Sequence, residues 1–342
     1  MGDILHDRER LRKSLADITI ERDQLADVLD RNDAQQLELQ RKNEHAKSNV
    51  LTSLSRPLPI PDGETEQTLL DFVKSVRVSD APLAEMQNYA SQDFRRFVYT
   101  LGLVQKLDGK CLELGANPYF TTMLLKFFTK LDLSLANFFG KDSKGIEIQT
   151  VDYTSPIDKK PYHFDFEYQH FNIENDVFPY ADNTFDIVIF AEIIEHLLND
   201  PCKVLREIKR VLKTNGTLIL TTPNVARLEN VARLVSGTNM YDPYSGYGAY
   251  GRHNREYNVH ELVTLLKYEG FDIEEHFTSD VHQNYADNFY DLSKLYPLVD
   301  YRANDLGQYI FIKAKNTSAQ STKRPAWLYR SMPAEMTDAV YL

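Results

Sequence analysis

Residues 110–125 read K-C-L-E-L-G-A-N-P-Y-F-T-T-M-L-L. Residues 111–114 predict a short buried strand, Gly115, Asn117 and Pro118 a sharp turn, and the run entered near Phe120 a helix. In an open α/β sheet the first strand, turn and helix bring the backbone and a helix N-terminus against a ligand at the carboxyl ends of the strands. A nucleotide-like cofactor is therefore expected at this turn. It has a single glycine where dinucleotide sites usually have three, so its meaning depends on the chain around it.

Downstream, residues 120–130 continue as a helix and 131–139 (L-D-L-S-L-A-N-F-F) alternate like a second strand. Asn137 lies 24 positions beyond Glu113, near the roughly 20-residue spacing at which a nucleotide-binding fold grips a ribose hydroxyl. Asp152, 39 positions on, is the alternative, but that is long for one helix crossover, so Asn137 is preferred. Residues 145–153 and 162–171 then become an inserted antiparallel pair around a P-I-D-K-K-P turn. The run 185–191 is almost continuously apolar, as a strand buried on both faces requires. Asp200-Pro201 opens a helix with its apolar face at Val204, Leu205, Ile208, Val211 and Leu212, stopping around Asn215-Gly216. Residues 218–222 read as another buried strand, and Asn258 with Glu261 as a capping box for a helix over 259–268. Strands at 271–277 and 309–314 complete a doubly wound, mainly parallel sheet, expected to be seven-stranded.

Upstream, residues 1–50 are rich in charge and amide, with Ile4, Leu11, Ile18, Leu25, Asn32 and Leu39 recurring every seven positions. That spacing predicts a coiled coil and a homo-oligomer, although Ser14, Glu21, Gln35 and Lys42 spoil the second seam and leave a lone amphipathic helix as the alternative. Pro57, Pro59 and Pro61 mark a linker within residues 51–85. The main domain is expected over 86–315, with helices before the opening strand covering a sheet edge. Near Tyr89 a cofactor-capping role competes with simple packing, and packing is preferred.

The formal charge of −11, from 50 acidic and 39 basic residues, weighs against nucleic acid as a partner, and 42% hydrophobic residues can fill a core. Two cysteines form no disulfide framework and suit a reducing, cytoplasmic setting. No signal peptide or membrane-spanning helix is expected.

The ordered set E-L-G-A-N-P-Y-F, F-P-Y-A-D-N-T-F-D-I-V-I-F-A-E-I-I-E-H-L and L-K-T-N-G-T-L-I-L-T-T-P-N resembles class I S-adenosylmethionine-dependent methyltransferases over residues 89–315. The resemblance implies a Rossmann-like methyltransferase fold with S-adenosyl-L-methionine as cofactor. It places Glu113, Gly115 and Asn117 on the methionine side, Asn137 at the ribose, and Asn172 and Ile173 at the adenine. Asn117 and Tyr119 depart from the family's second and third glycines.

Beyond the fourth strand come Glu192, Glu195 and His196, and later G-R-H-N-R-E-Y brings His253. An alcohol acceptor needs help losing its proton, from a base or a metal. Pairing E-x-x-E-H with a later histidine resembles the plant small-RNA 3′-end 2′-O-methyltransferases. That resemblance implies Glu192, Glu195, His196 and His253 as ligands of a divalent cation such as magnesium or manganese. Metal-free deprotonation with Glu195, His196 and His253 as catalytic groups, and a purely structural role, stay open beside it.

The loop over 237–257 carries Tyr241, Tyr244, Tyr247, Tyr250 and Tyr257 among glycines, with Arg255 close by. Tyrosine offers a flat apolar face and a hydroxyl, so these residues are expected to bind a sugar. The motifs also look similar to methyltransferases of bacterial surface polysaccharide synthesis, and this resemblance supplies the glycan or glycan precursor as acceptor. Residues 316–342 form a polar tail with the single tryptophan, expected to dock on the domain or a partner.

Overall fold

A computed structural model describes residues 54–79, 81–140, 144–241, 243, 244, 246, 248–317 and 321–340. The expected coiled coil and Tyr247 lie outside the described residues. By contacts the chain divides into residues 1–53 with 296–300, and residues 54–295 with 301–342. The second unit holds everything that follows.

Four short helices precede or follow the opening strand: α1 (Glu66–Ser75), α2 (Leu83–Gln92), α3 (Phe94–Val104) and, after β2 (Asp108–Leu114), α4 (Phe120–Phe128). The sheet runs β1 (Arg77–Val78), β2, β3 (Lys130–Asn137), β4 (Gly145–Thr154), β5 (Pro161–His170), β6 (Phe185–Ala191), β7 (Leu212–Pro223), β8 (Phe271–Ser279) and β9 (Tyr309–Asn316) in chain order. Between them lie α5 (Pro201–Val211), α6 (Leu228–Ser236) and α7 (Val259–Tyr268).

The expected seven-stranded sheet is a nine-stranded mixed one, in the order β1-β4-β5-β3-β2-β6-β7-β9-β8. Its centre, β5-β3-β2-β6-β7, is parallel, while β4, β9 and the outermost strands pair antiparallel. The 145–171 hairpin is therefore no insertion. Its second strand docks parallel on β3 through Ala136↔Gln169 and Asn137↔His170, and its first extends the sheet outward. A ten-residue strand that leaves one face in solvent alternates, and alternation alone does not reveal where the strand pairs.

Helices cover both faces. On one, α1, α3 and α4 bury Leu69, Phe72, Phe97, Leu101 and Met123 with Cys111, Ile187 and Ile189 of the strands. On the other, Val204, Leu205, Ile208 and Val211 of α5 join Leu262 and Leu265 of α7 over Leu112, Val188 and Leu220. Asp200 caps α5 and Pro201 opens it, since a proline lacks only a donor that a first helical turn leaves unpaired. The helix ends at Val211, earlier than the expected stop, because Leu212 already pairs with Phe185 as the start of β7. Asn258 caps α7 by accepting from Glu261 N, but the capping box is not reciprocal: the Glu261 carboxylate turns to Arg255.

The proline segment is not a detached linker. The Tyr99 hydroxyl donates to the Arg56 carbonyl, and Pro59 lies so close over Gly102 that a Cβ there would come within 2.2 Å of it. The tail docks as expected on the domain: Trp327 packs on the second core, and Arg324 and Tyr329 both hold Asp200.

Candidate functional site

Strands β2, β3 and β6 end together, and a cleft opens at their carboxyl edge. One lobe is lined by Glu113, Gly115, Asn117, Thr121 and Asn137 with Tyr89 and Arg96, and encloses about 940 Å³ open to solvent. The other, about 660 Å³, is lined by Phe171, Asn172, Ile173, Glu174, His196 and Leu197. Gly115, Asn137, Phe138, Glu192, Ile193 and Tyr250 border both lobes.

The glycine-poor turn is held by side chains. Gly115, at φ +68, is the one position where glycine is required: a Cβ would also press to 2.9 Å from Ile193. Tyr119 adopts φ 70 at the N-cap of α4, a left-handed conformation that costs a bulky residue about 1–2 kcal/mol. Its ring, fully buried, stacks on Phe166 at 5.1 Å, and its hydroxyl donates to Gln149 Oε1 (2.8 Å) and accepts from Asn137 Nδ2 (3.1 Å). Asn117 donates its side-chain amide to the same Gln149 oxygen and its backbone N–H to Asn137 Oδ1. Asn117 and Tyr119 thus tie the turn to β3 and β4, work that glycines cannot do. Asn137 stands at the end of β3 on the cleft wall, with both polar atoms already engaged by the turn; Asp152 sits out on β4 and lines neither lobe.

Glu113 is buried beside the turn and accepts from the Thr122 hydroxyl at 2.6 Å; burial pushes its carboxyl up to about 8. Asn172 folds its oxygen onto Glu174 N and donates its amide to the Tyr250 hydroxyl (3.1 Å), which closes one side of the cleft against Phe138.

The acceptor-edge residues do not lie on one helical face. Glu192 bends the chain at φ 55, and residues 194–196 form a single 3-10 turn, so the two residues do not sit on one regular helix. Glu192 accepts from Thr221 Oγ1 on the cleft floor, whereas Glu195, fully buried, joins His196 and His253. One ligand atom from each of these three lies within 4.8 Å of the others, and Glu192 is outside the group. Glu195 Oε2 accepts from Thr222, while Oε1 is buried with no hydrogen-bond partner among the described residues and faces His196 Nε2 at 3.8 Å. Burial raises both carboxyls above the usual range.

Both imidazoles are oriented from behind. His196 Nδ1 lies 2.9 Å from the Arg252 carbonyl and His253 Nδ1 2.8 Å from Glu256 Oε1. Both partners can accept, so each Nδ1 is placed to donate, the tautomer in which Nε2 would be the ligating atom. Residues 249–256 reach this edge because Asn254 and Arg255 donate their backbone N–H groups to the Glu195 carbonyl.

The tyrosine loop divides. Tyr241 and Tyr244 are exposed, at 78% and 92%, and Arg252 reaches over the Tyr244 ring. Tyr250 borders the cleft instead. Tyr257 is no surface residue: it is 2% exposed in the second core, and its backbone bridges to Asn224, which leaves its ring unavailable to a sugar. Arg255 extends over that ring and pairs with Glu261.

Sequence reasoning missed Arg96, Gln149, Thr221, Thr222 and Glu256. The threonines stood in the quoted T-T-P-N, and Arg96 in an F-R-R-F run whose neighbours are all core-forming. Gln149 carried no signal, since only the docking of the hairpin brings it to the turn.

Residues 130–220 match a family model described as a methyltransferase domain. A protein of Mycolicibacterium smegmatis described as a probable S-adenosylmethionine-dependent methyltransferase is 31% identical over 97 residues, 28% of this chain and 32% of its own length. One of Mycobacterium tuberculosis with the same description is 33% identical over 93 residues, 27% of this chain and 29% of that protein. The matches thus take in about a third of those relatives' length. A solved Thermotoga maritima structure, described as a possible histamine N-methyltransferase, covers 69% of this chain and 96% of its own at 15% identity and a TM-score of 0.40. Among the described residues no helix is long and apolar enough to cross a membrane.

Proposed function

We propose that this chain is an S-adenosyl-L-methionine-dependent O-methyltransferase whose acceptor is a sugar hydroxyl of a surface glycan or its precursor. The observation that carries the donor is the two-lobed cleft at the β2, β3 and β6 ends, within the segment that matches a methyltransferase domain and beside it. Glu113 and Gly115 border the methionine lobe, and Asn172, Ile173 and Phe171 the adenine lobe. Asn137 borders both, at the ribose.

Methyl transfer is a displacement: the acceptor oxygen bonds to the methyl carbon as the carbon–sulfur bond breaks, and the acceptor proton must leave. Glu195, His196 and His253 supply groups to receive it. The same three fit a divalent cation, with ligand atoms within 4.8 Å of one another, a buried carboxylate oxygen and two imidazoles whose Nδ1 atoms face acceptors. A cation bound there would acidify the acceptor hydroxyl. Tyr241 and Tyr244, exposed on the loop that brings His253, support a sugar ring as the group presented.

The test is transfer of labelled methyl from the donor into glycan, nucleotide-sugar and RNA fractions, with and without chelator. Label in a carbohydrate fraction, abolished by chelator, is expected. Label confined to RNA would replace the acceptor, undiminished transfer in chelator would remove the cation, and failure to bind the donor would end the reading.

A further inference from the structure

The turn at residues 172–174 touches both arms of the acceptor edge and grips them unequally. On the His196 arm, Glu174, 5% exposed, accepts the backbone N–H of Leu198 at 3.0 Å and of Asn199 at 2.8 Å. Bonds from backbone N–H to a carboxylate are among the stronger ones, so this arm is firmly held. On the His253 arm the link is one bond, from the Asn172 amide to the Tyr250 hydroxyl at 3.1 Å. Little is packed around it. Among the described residues of 237–252 none is buried, and Gly248 enters the segment at φ 79, ψ −162, with nothing within 4 Å of where a Cβ would stand. A segment with so few buried contacts has low local stability.

Tyr250 borders both lobes of the cleft with its ring against Phe138 at 5.6 Å, yet it is 37% exposed, so part of the ring lies open in the cleft. A few residues on, the same segment meets the acceptor edge. Asn254 donates its side-chain amide to the carbonyls of Ala249 and His196, both at 2.9 Å, and Asn254 and Arg255 donate their backbone N–H groups to the Glu195 carbonyl. What holds Tyr250 therefore also holds the backbone that presents His253, through Asn254 and the main chain and without the His253 imidazole. A ligand filling the cleft adds contact to the open part of the Tyr250 ring, and a contact made only in the bound state shifts the segment toward this arrangement. We propose that Tyr250 is a positioning residue: the methyl donor packs on its ring, fixes residues 249–255 and so sets His253 at the acceptor edge. This rests on reading the cleft as the donor site. Donor binding then comes before the acceptor edge is complete.

The test is hydrogen exchange of the full chain with and without saturating S-adenosylhomocysteine, in the absence of acceptor and cation, followed at two places: the Gly115 turn and residues 249–257, which include the Asn254 and Arg255 amides. In the wild-type chain S-adenosylhomocysteine is expected to slow exchange at both, by about 5-fold or more over 249–257, the lower end of ordinary coupling between sites. In Tyr250→Ala the turn is expected to stay protected while the protection over 249–257 falls to less than about two-fold. Tyr250→Phe, which keeps the ring and loses the bond to Asn172, is expected to fall between them. A role in stability alone would raise exchange in the variants equally with and without ligand, and that result would overturn the proposal. So would wild-type protection confined to the Gly115 turn, which leaves the donor site standing, or full protection over 249–257 in Tyr250→Ala. A wild-type chain protected at neither place, with no binding by calorimetry, would remove the donor site and the proposal together.

Discussion

The two sides of the cleft are built by different means. The donor side is a continuous stretch, residues 111–137, whose strand, turn, helix and strand follow one another and whose polar atoms bond mainly among themselves and to Gln149. The acceptor edge is assembled from residues far apart: His196 and His253, with rings 5.0 Å apart, come from segments 57 positions distant in the chain. Among the described residues Glu195 Oε1 meets no hydrogen-bond donor, while the groups behind the cluster, Thr222, Arg252 and Glu256, hold its members in place. The donor side spends its hydrogen bonds on stability, and the acceptor edge keeps a buried carboxylate oxygen unmet. Leaving a buried carboxylate oxygen unmet is costly.

The division can be tested by variants that should fall on one side only. His253→Ala carries the largest expected effect: methyl transfer falls by about 10²- to 10⁴-fold, while donor affinity by calorimetry changes less than about two-fold. Loss of donor affinity in the same variant would show that the two sides are one unit. Glu256→Gln acts from behind the ring, and titration of manganese should give a binding constant about 10- to 100-fold weaker with little change in donor binding. Wild-type affinity for manganese would leave Glu256 as a structural partner alone.

On the donor side, Tyr119→Phe removes the acceptor of Asn137 Nδ2 and a donor to Gln149. Chemical denaturation should report a loss of about 1–3 kcal/mol, accompanied by weaker donor binding and no change in manganese binding. The smallest effect is on pH dependence. Glu113 is held at about 8 in the folded chain, above a carboxyl's usual 4.5, so the folded state keeps a proton that the unfolded state releases. Its contribution makes stability fall as pH rises from about 4.5 to about 8 and stay level above. Between pH 5 and 8, Glu113→Gln should therefore lose about 1–3 kcal/mol less stability than the wild-type chain. An identical slope in both would mean that Glu113 is ionised in the folded protein.

Much of the donor side was legible in the sequence because its signals are local. A buried strand, a turn glycine, a following helix entered near Phe120 and an amide near the ribose spacing each depend on neighbours within a few positions. The acceptor edge was legible as a set of residue types and not as a geometry. The resemblance grouped Glu192 with Glu195, and the bend at Glu192 leaves it outside the cluster of Glu195, His196 and His253. A stretch of tyrosines read as one surface, yet Tyr241 and Tyr244 face solvent, Tyr250 borders the cofactor cleft and Tyr257 is core. Composition does not say which face of a loop meets water.

By itself the sequence determined the order of strands and helices, the two-sided cover of the sheet and the turn at Gly115, because hydrophobic period, caps and positive-φ requirements act over short range. Only the tertiary structure decided that the 145–171 hairpin joins the main sheet, that Gln149 locks the turn in place of glycines, that Glu192 lies outside the histidine cluster, and that Arg96 lines the cleft. Each of these depends on pairing across the sheet or packing between distant segments, where burial forces polar atoms to find partners that no local pattern names.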